Sequence, residues 1–376
     1  MSTALQAYRL CVHCALRQGG GPETFETVEG KECFICGGLM DEMPTLAKAA
    51  GKAARRYQFE TFSVGVSLPE GVQEREDELR SVLKLKGSET IKTHASRVVS
   101  AAVASTLRKR VDKMRPDLML LVDVPGRGVS LTSRPLFYYG RYTKPPGVSQ
   151  RREPCRRCSG AGCSYCRNTG FERRRSVEGE LGRRLAKFTG SGKLVFTWLG
   201  SEDRLSRVYP PGRPFVAEVK SPVRRQVPRR FAARIRGGQV AVTGGRVLPS
   251  KPTRLPTFRF RTEVVGVASS KVGEEGLKEL KRVFRGTEVR FERPHERPTT
   301  KVVYRASATL KGRTLTIDAE LDGGLPVKRF VSGELVSPSI SEVLKTQVRC
   351  RRFDICEVKE TGRFEFAEVA RREKKN

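Results

Sequence analysis

The sequence predicts an α+β protein in two parts: a small α/β domain behind an N-terminal cysteine module, and a larger C-terminal half rich in strands. Three observations support this prediction. Two C-x-x-C pairs open the chain, strand and helix patterns alternate over residues 61–124, and strand patterns outnumber helical ones after residue 190. At 376 residues, the chain is long enough for two or three domains.

The N-terminal cysteines form two C-x-x-C pairs that are eighteen residues apart, and they are Cys11, Cys14, Cys33 and Cys36. Each pair can offer two thiolates to one tetrahedral metal, and this spacing is typical of structural zinc sites. The alternatives are a disulfide or unrelated thiols, which a reducing compartment disfavours. We expect one structural zinc ion here, with His13 outside the ligand set.

The elements that follow the cysteine module indicate a small α/β domain. Residues 61–69 predict a strand, residues 71–87 and 88–112 predict two helices with charged outer faces, and residues 116–124 predict a buried strand. Another strand is expected over residues 129–142. We therefore predict a first domain that spans residues 1–150.

A second group of cysteines introduces the C-terminal half, and its members are Cys155, Cys158, Cys163 and Cys166. Four thiolates within twelve residues could close on a second zinc ion, with nearby glycines supplying the turns. A helix over 177–190 and strands near 193–200, 213–222, 257–268 and 301–320 follow. These elements predict a second domain over residues 151–370 and a disordered tail over 371–376.

The charge of the chain is strongly positive and unevenly distributed. Lys and Arg number 73 against 41 Asp and Glu, which gives a net charge of +32. Residues 221–260 contain ten basic residues and no acidic one, including Arg224, Arg225, Arg229 and Arg230. A charge run is often only a solvated surface, but the absence of any balancing carboxylate favours contact with phosphates.

The charge indicates nucleic acid as the partner, with an anionic membrane surface as the rival. The sequence contains no apolar run of the length that a spanning helix needs and no signal-peptide pattern. We therefore expect a cytoplasmic protein that neither crosses a membrane nor depends on an obligate protein partner.

Several motifs together resemble one family, the archaeal and eukaryotic tRNA pseudouridine synthases that act on the T arm. The resemblance runs from about Leu10 to Val358. It is carried by LCVHCALRQ (10–18), CFICGGLMDEM (33–43), RPLFYYGRYTK (134–144), PCRRCSGAGCSYCRNTG (154–170), SVEGELGRRLAKFTG (176–190), GSEDRLSRVYPPGRPFVAEV (200–219) and GGLPVKRFVSGELVSPSISEVL (323–344). It implies an N-terminal RNA-binding module that contains a THUMP domain, and a C-terminal pseudouridine synthase fold with a mixed, mainly antiparallel sheet.

The resemblance also implies a reaction and its residues. Pseudouridylation detaches uracil from C1′ of the ribose and rejoins it through C5, without a redox or nucleotide cofactor. Asp203 falls on the position of the family's catalytic carboxylate, and Arg207 matches a basic position close behind it. Ser201 and Leu205 replace an arginine and an aspartate of that motif. From the residues alone, Asp203 could equally be a turn or cap residue.

Further site residues follow from the same resemblance. Phe258 replaces a tyrosine whose ring would stack on the base, although an aromatic residue in a strand more often belongs to the core. Lys328 matches a lysine that would pair with Asp203, and its alternative is a solvated lysine on a strand. Pro326 replaces a second tyrosine. Val327 and Phe353 fall on apolar positions that would wall the pocket.

The predicted function is isomerisation of uridine to pseudouridine in the T loop of tRNA, at position 54, position 55 or both. The alternative is a tRNA-binding protein or chaperone that descends from such an enzyme and has lost activity through the altered residues. A zinc-dependent transcription or ribosome-associated factor fits the charge, but it does not fit the catalytic-half motifs.

Overall fold

The structure is a computed structural model, and it describes residues 8–20, 24–85, 89–172, 175–235, 237–292 and 297–367. The chain divides into two compact units. The first contains the chain up to Pro135 together with Lys220–Arg225, and the second contains Leu136–Val219 and the chain from Gln226 onward. The predicted tail over 371–376 lies outside the described residues.

The first unit combines the cysteine module with a sheet and two long helices. Its elements are β1 (Arg9–Leu10), α1 (Val12–Arg17), β2 (Glu26–Thr27), α2 (Leu39–Ala54), β3 (Thr61–Ser67), α3 (Val72–Val82), α4 (Ile91–Leu107), β4 (Arg110–Val111), β5 (Leu118–Asp123) and β6 (Gly128–Ser133).

The described sheet of this unit has the strand order β4-β3-β5-β6. β3 pairs in parallel with β5, and β5 pairs antiparallel with β6. Alternate residues of β5 are buried because successive side chains of a strand point to opposite faces. They share one core with apolar residues of α2 and α4. The two predicted helices and flanking strands are confirmed, whereas α2 was not predicted.

A buried carboxylate joins the cysteine module to the helices of the same unit. The Oε1 atom of Glu76 on α3 accepts hydrogen bonds from Arg17 Nε and Gln18 Nε2, each at 2.9 Å. Its Oε2 atom accepts one from the backbone N–H of Ile91, at the start of α4. The side chains of Arg17 and Glu76 are almost fully buried. Arg80 Nη2 also lies 3.4 Å from Glu76 Oε1, and Arg17 Nη2 donates to Cys14 Sγ at 3.5 Å. Glu76 is therefore a buried carboxylate that two arginines share.

We predict that Glu76→Ala destabilises this unit by about 3–5 kcal/mol, because it removes the carboxylate that pairs with the buried Arg17 guanidinium and with Arg80. Urea unfolding followed by circular dichroism measures the change. Glu74→Ala, on the exposed face of the same helix, is the control and should shift stability by less than about 0.5 kcal/mol. Equal effects of the two substitutions would contradict this role for Glu76.

The second unit contains most of the strands. Its elements are β7 (Leu136–Lys144), α5 (Val177–Thr189), β8 (Leu194–Trp198), β9 (Val208–Val219), β10 (Phe231–Ile235), β11 (Gly238–Leu248), β12 (Pro252–Arg254), β13 (Phe258–Ala268), α6 (Glu274–Val283), β14 (Thr287–Phe291), β15 (Thr299–Lys311), β16 (Thr314–Asp322), α7 (Val327–Ser332), β17 (Val336–Ser337), α8 (Ile340–Val343), β18 (Val348–Glu360) and β19 (Glu365–Phe366).

Most of these strands form one large sheet with the order β10-β11-β7-β9-β18-β13-β16-β15-β14-β17, and β8 pairs with β9 beside this path. Among the described strand pairs of this sheet, β9 with β18 is parallel and the others are antiparallel. The mixed, mainly antiparallel sheet is therefore confirmed. A large apolar core packs against it, with α5, α6 and α7 contributing residues. A smaller cluster gathers around Tyr139, Val216 and Leu248.

The predicted domain boundary differs from the division that the structure shows. The sequence placed residues 136–150 in the first domain, and it read residues 129–142 as one strand. The structure divides this stretch at Arg134 and Pro135, so that β6 ends the first sheet and β7 lies inside the second. Because Pro135 has no backbone N–H to donate to a neighbouring strand, strand pairing is interrupted at this point.

Strand ends determine where the candidate site lies. β8 ends at Trp198, and the segment that carries Asp203 connects it to β9. β16 ends at Asp322, and the turn after it leads into α7, which carries Lys328. Pro326 stands at the N-cap of this helix, where its fixed φ and missing N–H are tolerated. Lys328 thus lies on a helix, not on the strand considered as its alternative.

Candidate active site

The structure brings Asp203 and Lys328 together. Asp203 Oδ2 lies 2.7 Å from Lys328 Nζ, and the side chains are 34% and 54% exposed. The pair is therefore accessible from solvent while each charge compensates the other. A carboxylate in this setting can act as a nucleophile or as a base without first being freed from the core.

A cleft of about 670 Å³ opens beside this ion pair. This volume falls within the usual range for small-ligand sites. The side chains of Phe260, Val327 and Phe353 are buried and form apolar parts of the wall. The apolar positions predicted at Val327 and Phe353 thus line the cleft with Asp203 and Lys328. Such walls exclude water from a bound ring and leave the charged pair as the reactive group.

Phe258 does not line this cleft, although the sequence placed a stacking ring there. Its side chain belongs to an adjoining cavity, and the Arg141 guanidinium lies 6.0 Å from its ring centroid. Phe260, two residues further along β13, lines the cleft instead. Both rings lie on the same face of the strand, because alternate residues share a face. The ring of the motif Pro256–Arg259 therefore lines the adjoining cavity, and the β13 ring at the cleft is Phe260.

Arg207 also lies away from the cleft. Its backbone N–H donates to Asp354 Oδ1 at 2.8 Å, and its exposed guanidinium is 5.5 Å from the Tyr209 ring. Two other arginines line the cleft, Arg329 on α7 and Arg213 from the G-R-P-F run of β9. The side chain of Arg213 is buried, with Nη1 at 3.4 Å from Glu202 Oε2. Residues 212–217 of β9 are buried consecutively, so alternation in the sequence offers no signal for Arg213.

Glu202 holds the segment that carries Asp203. Its side chain is fully buried. Tyr142 Oη donates to Glu202 Oε1 at 2.6 Å, and Gln150 Nε2 donates to Oε2 at 3.1 Å and to the carbonyl of Gly200 at 3.1 Å. Burial raises the pKa of Tyr142 well above its ordinary value, so its hydroxyl stays a donor. The network fixes the chain on the N-terminal side of Asp203.

Lys144 fixes the other side of the same segment. Its ammonium donates to the backbone carbonyls of Asp203 at 3.0 Å and Ser206 at 2.5 Å, and it lies 3.5 Å from that of Arg204. The side chain is 2% exposed, and this burial lowers the pKa of Lys144 to about 8. The segment is therefore held from both directions, and the Asp203 carboxylate is left free to face the cleft. Neither Lys144 nor Gln150 was predicted from the sequence.

We predict that the free energy of unfolding of wild type, minus that of Lys144→Met, increases with pH between about 8 and 10.5. Over this range native Lys144 has lost a proton that the unfolded chain still binds, so raising the pH favours the native state. The slope should reach at most about 1.4 kcal/mol per pH unit. Urea unfolding of both proteins at several pH values measures it, and the exposed Lys193→Met is the control. A flat difference would contradict the prediction.

The N-terminal cysteines converge as predicted. The four sulfur atoms all lie within 4.8 Å of one another, and Cys11 Sγ is 3.6 Å from Cys36 Sγ. Zinc–sulfur bonds of about 2.3 Å in a tetrahedron place sulfur atoms about 3.8 Å apart. All four cysteines are buried. The donor set, its spacing and its burial fit a structural metal ion.

The internal cysteine loop converges in the same way. Cys155 Sγ lies 4.0 Å from Cys163 Sγ, and Cys158 Sγ lies 3.8 Å from Cys166 Sγ. Backbone N–H groups of Gly162 and Cys163 donate to two of the sulfurs. Gly162 and Gly170 have positive φ, and a Cβ on Gly170 would overlap the carbonyl of Gly160. Glycine thus permits the tight folding that brings four thiolates to one point. Both cysteine groups could hold a metal ion.

The arginines of residues 221–260 do not all face solvent. Arg225 is 17% exposed at its side chain and donates to the carbonyls of Arg134 and Pro135 and to Ser133 Oγ. Its Nε lies 3.7 Å from Asp117. Arg224, Arg229 and Arg230 are exposed. Arg225 therefore has a structural role inside the first unit, unlike the exposed Arg229 and Arg230.

The described residues contain no helix that is both long and apolar enough to cross a bilayer.

Comparisons with known proteins identify similar chains. The family model for the archaeal Pus10 THUMP domain matches residues 46–123. A tRNA pseudouridine synthase Pus10 from Cenarchaeum symbiosum is 34% identical, over 87% of this chain and 81% of that protein. The Nitrosopumilus maritimus protein of the same name is 29% identical, over 94% and 96%.

The similarity to a solved structure is weaker than the similarity to these two relatives. A chain of a Cbf5-Nop10-Gar1 complex matches 59% of this chain and 48% of its own length, with 12% identity and a TM-score of 0.33. A score this low carries no argument about the site. The Cenarchaeum symbiosum relative, 34% identical over most of both chains, shows that this chain belongs to the family of Pus10 tRNA pseudouridine synthases.

Proposed function

We propose that the chain isomerises uridine to pseudouridine in the T loop of tRNA, at position 54, position 55 or both. The observation that carries the proposal is the Asp203–Lys328 ion pair at the edge of an open cleft. The relatives are named as tRNA pseudouridine synthases, and the net charge of +32 suits a polyanionic substrate. Such an enzyme would act in the cytoplasm, where tRNA is used.

The proposed mechanism begins with a uridine turned out of its stack into the cleft. The carboxylate of Asp203 acts as a nucleophile or as a base while the N1–C1′ bond breaks. The uracil then rotates and a C5–C1′ bond forms. The proton on C5 is lost and N1 gains a proton, so the atoms balance. Phe260 has no hydroxyl, so Asp203 or water must accept the C5 proton.

Each neighbouring residue has a separate task in this proposal. Lys328 compensates the charge of Asp203 and holds its orientation. Phe260 offers the ring face on which uracil can stack, in place of the predicted Phe258. Val327 and Phe353 exclude water from the bound base. Arg213 lies beside Gly200 in the cleft wall, where its pairing with Glu202 helps to hold the segment before Asp203.

The alternative, a tRNA-binding protein without activity, is less well supported. The changes at Ser201 and Leu205 fall on exposed positions, and Pro326 fits the start of α7. None of these changes removes the ion pair or closes the cleft. The motif residues that depart from the family pattern therefore leave the reactive group in place.

We predict that Asp203→Asn abolishes pseudouridine formation while tRNA affinity stays within about twofold of wild type, because the amide keeps the shape but cannot act as a nucleophile. Lys328→Met should slow the reaction by roughly 10- to 100-fold, the value of a charged hydrogen bond. Pseudouridine mapping on a T-arm transcript measures both. Asp318→Asn, in an exposed ion pair of β16, should retain activity. Normal activity of Asp203→Asn would sink the proposal.

We propose that both cysteine groups bind structural zinc. The purified chain should contain two zinc ions, and Cys11→Ser should lose one of them and destabilise the first unit. Metal analysis by mass spectrometry measures the stoichiometry, and Cys350→Ser, outside both groups, should leave it unchanged. Zinc at background level in wild type would exclude the proposal. Iron in its place would exclude only the identity of the metal.

We predict that tRNA binding weakens with salt at a slope of about −0.7 to −0.9 in log K per phosphate contact. Replacing the exposed Arg229 and Arg230 with alanine should flatten this slope, if they contact phosphates as we propose. Arg225→Ala should leave the slope unchanged and lower stability, because its guanidinium is held by carbonyls of the first unit. Titrations at four salt concentrations measure the slope, and the opposite pattern would refute the assignment.

A further inference from the structure

A second cavity of about 490 Å³ lies beside the cleft, and the proposed mechanism does not use it. Three aromatic residues line it, namely Trp198 at the end of β8, Phe258 at the start of β13 and Tyr304 on β15. Lys301 and Asp322 complete its polar part. Aromatic rings next to a cation are the combination that binds unpaired nucleotides, because bases stack on rings and phosphates need positive charge.

The cavity and the cleft share a wall formed by the backbone of two glycines. Gly200 and Gly324 belong to the walls of both, and each has a φ of +97°. A Cβ on Gly200 would overlap the Arg213 guanidinium. No side chain therefore separates the two spaces at these positions. Two spaces that adjoin in this way suit successive nucleotides of one RNA strand.

The ring of Tyr304 is fixed by contacts that need no ligand. Its hydroxyl donates to Asp322 Oδ1 at 2.9 Å, and Asp322 Oδ2 accepts the backbone N–H of Val302 at 3.0 Å. The Arg259 guanidinium lies 3.4 Å from the ring centroid. Both carboxylate oxygens of Asp322 accept hydrogen bonds from these donors, so we do not expect Asp322 to be the main contact for a ligand. A preformed wall reduces the entropy lost on binding.

Lys301 is the cation available at this cavity. Within the described residues its ammonium forms no ion pair, and its side chain is only partly buried. The Cβ position of Gly324 lies 3.7 Å from Lys301 Cε. The charge thus stands close to the backbone that joins the two cavities, where the phosphate between two bound nucleotides would pass.

We propose that this cavity binds the base of the nucleotide adjacent to the target uridine, with Lys301 close to the intervening phosphate. The inference rests on the proposed function for the choice of ligand, but its test reads binding rather than catalysis. It gives Phe258 a stacking role, on the neighbouring base instead of on the target.

The experiment uses the full chain and three T-arm stem-loop RNAs: one intact, one abasic at the nucleotide 5′ of the target, and one abasic at the nucleotide 3′ of it. Trp198 is the only tryptophan of the chain, so its fluorescence reports on this cavity. Affinity and quenching are measured for wild type, for Tyr304→Leu and for Tyr209→Leu. Tyr209 is an exposed tyrosine outside the cavity and is the matched control.

We expect one abasic substitution to weaken binding to wild type by at least about fivefold, as loss of a stacked base does, and to abolish most of the Trp198 quenching. The same substitution should cost less than about twofold in Tyr304→Leu and the full amount in Tyr209→Leu. Equal penalties in wild type and Tyr304→Leu, or no penalty in wild type at either nucleotide, would overturn the inference. If Tyr304→Leu does not fold, the quenching of wild type by intact and abasic RNA decides it.

The same RNAs separate this inference from the proposed function. Pseudouridine on the intact RNA without any coupling to Tyr304 would overturn the second cavity alone. Coupling to Tyr304 without pseudouridine would support the nucleobase cavity and overturn the proposed activity.

Discussion

The buried carboxylate of Glu202 fixes the segment on which the accessible carboxylate of Asp203 stands. The two residues are neighbours in the chain, yet one is enclosed by Tyr142, Gln150 and Arg213, and the other pairs with Lys328 at the mouth of a cleft. The Glu202 carboxylate accepts hydrogen bonds from the side chains of Tyr142 and Gln150, and Gln150 also donates to the backbone carbonyl of Gly200. Asp203 can then be exposed without being mobile, which a reactive group requires.

The sheet of the second unit supplies the surfaces that this segment needs. The neighbouring strands β7 and β9 carry Tyr142, Lys144 and Arg213, which contact this segment. β13 contributes Phe260 to the wall of the cleft. Lys328 arrives from a separate part of the chain, on a short helix that begins where β16 ends. The site therefore depends on strand pairing between distant segments, and any shift of register would move its members to different faces.

The first unit shows the same use of buried charge for a different purpose. Glu76 joins Arg17 of the cysteine module to the start of α4, and Arg225 returns from a later part of the chain to contact Asp117. Buried ions of this kind contribute little net stability, but removing one partner costs much. They fix which segments meet within this unit, and the buried sulfurs of its four cysteines belong to the same apolar core.

The sequence by itself determined the elements whose signals are local. The C-x-x-C spacings, the helices around residues 72–107 and 177–189, and the strand patterns of β3, β5 and β13 all follow from periodicity or from ligand geometry. Motif resemblance placed Asp203 and Lys328, and the structure shows them 2.7 Å apart. Only the tertiary structure decided which ring enters the cleft, which arginine backs it, and which arginine of residues 221–260 is buried. Those outcomes depend on strand register and on contacts between residues far apart in the chain, and neither has a local signature in the sequence.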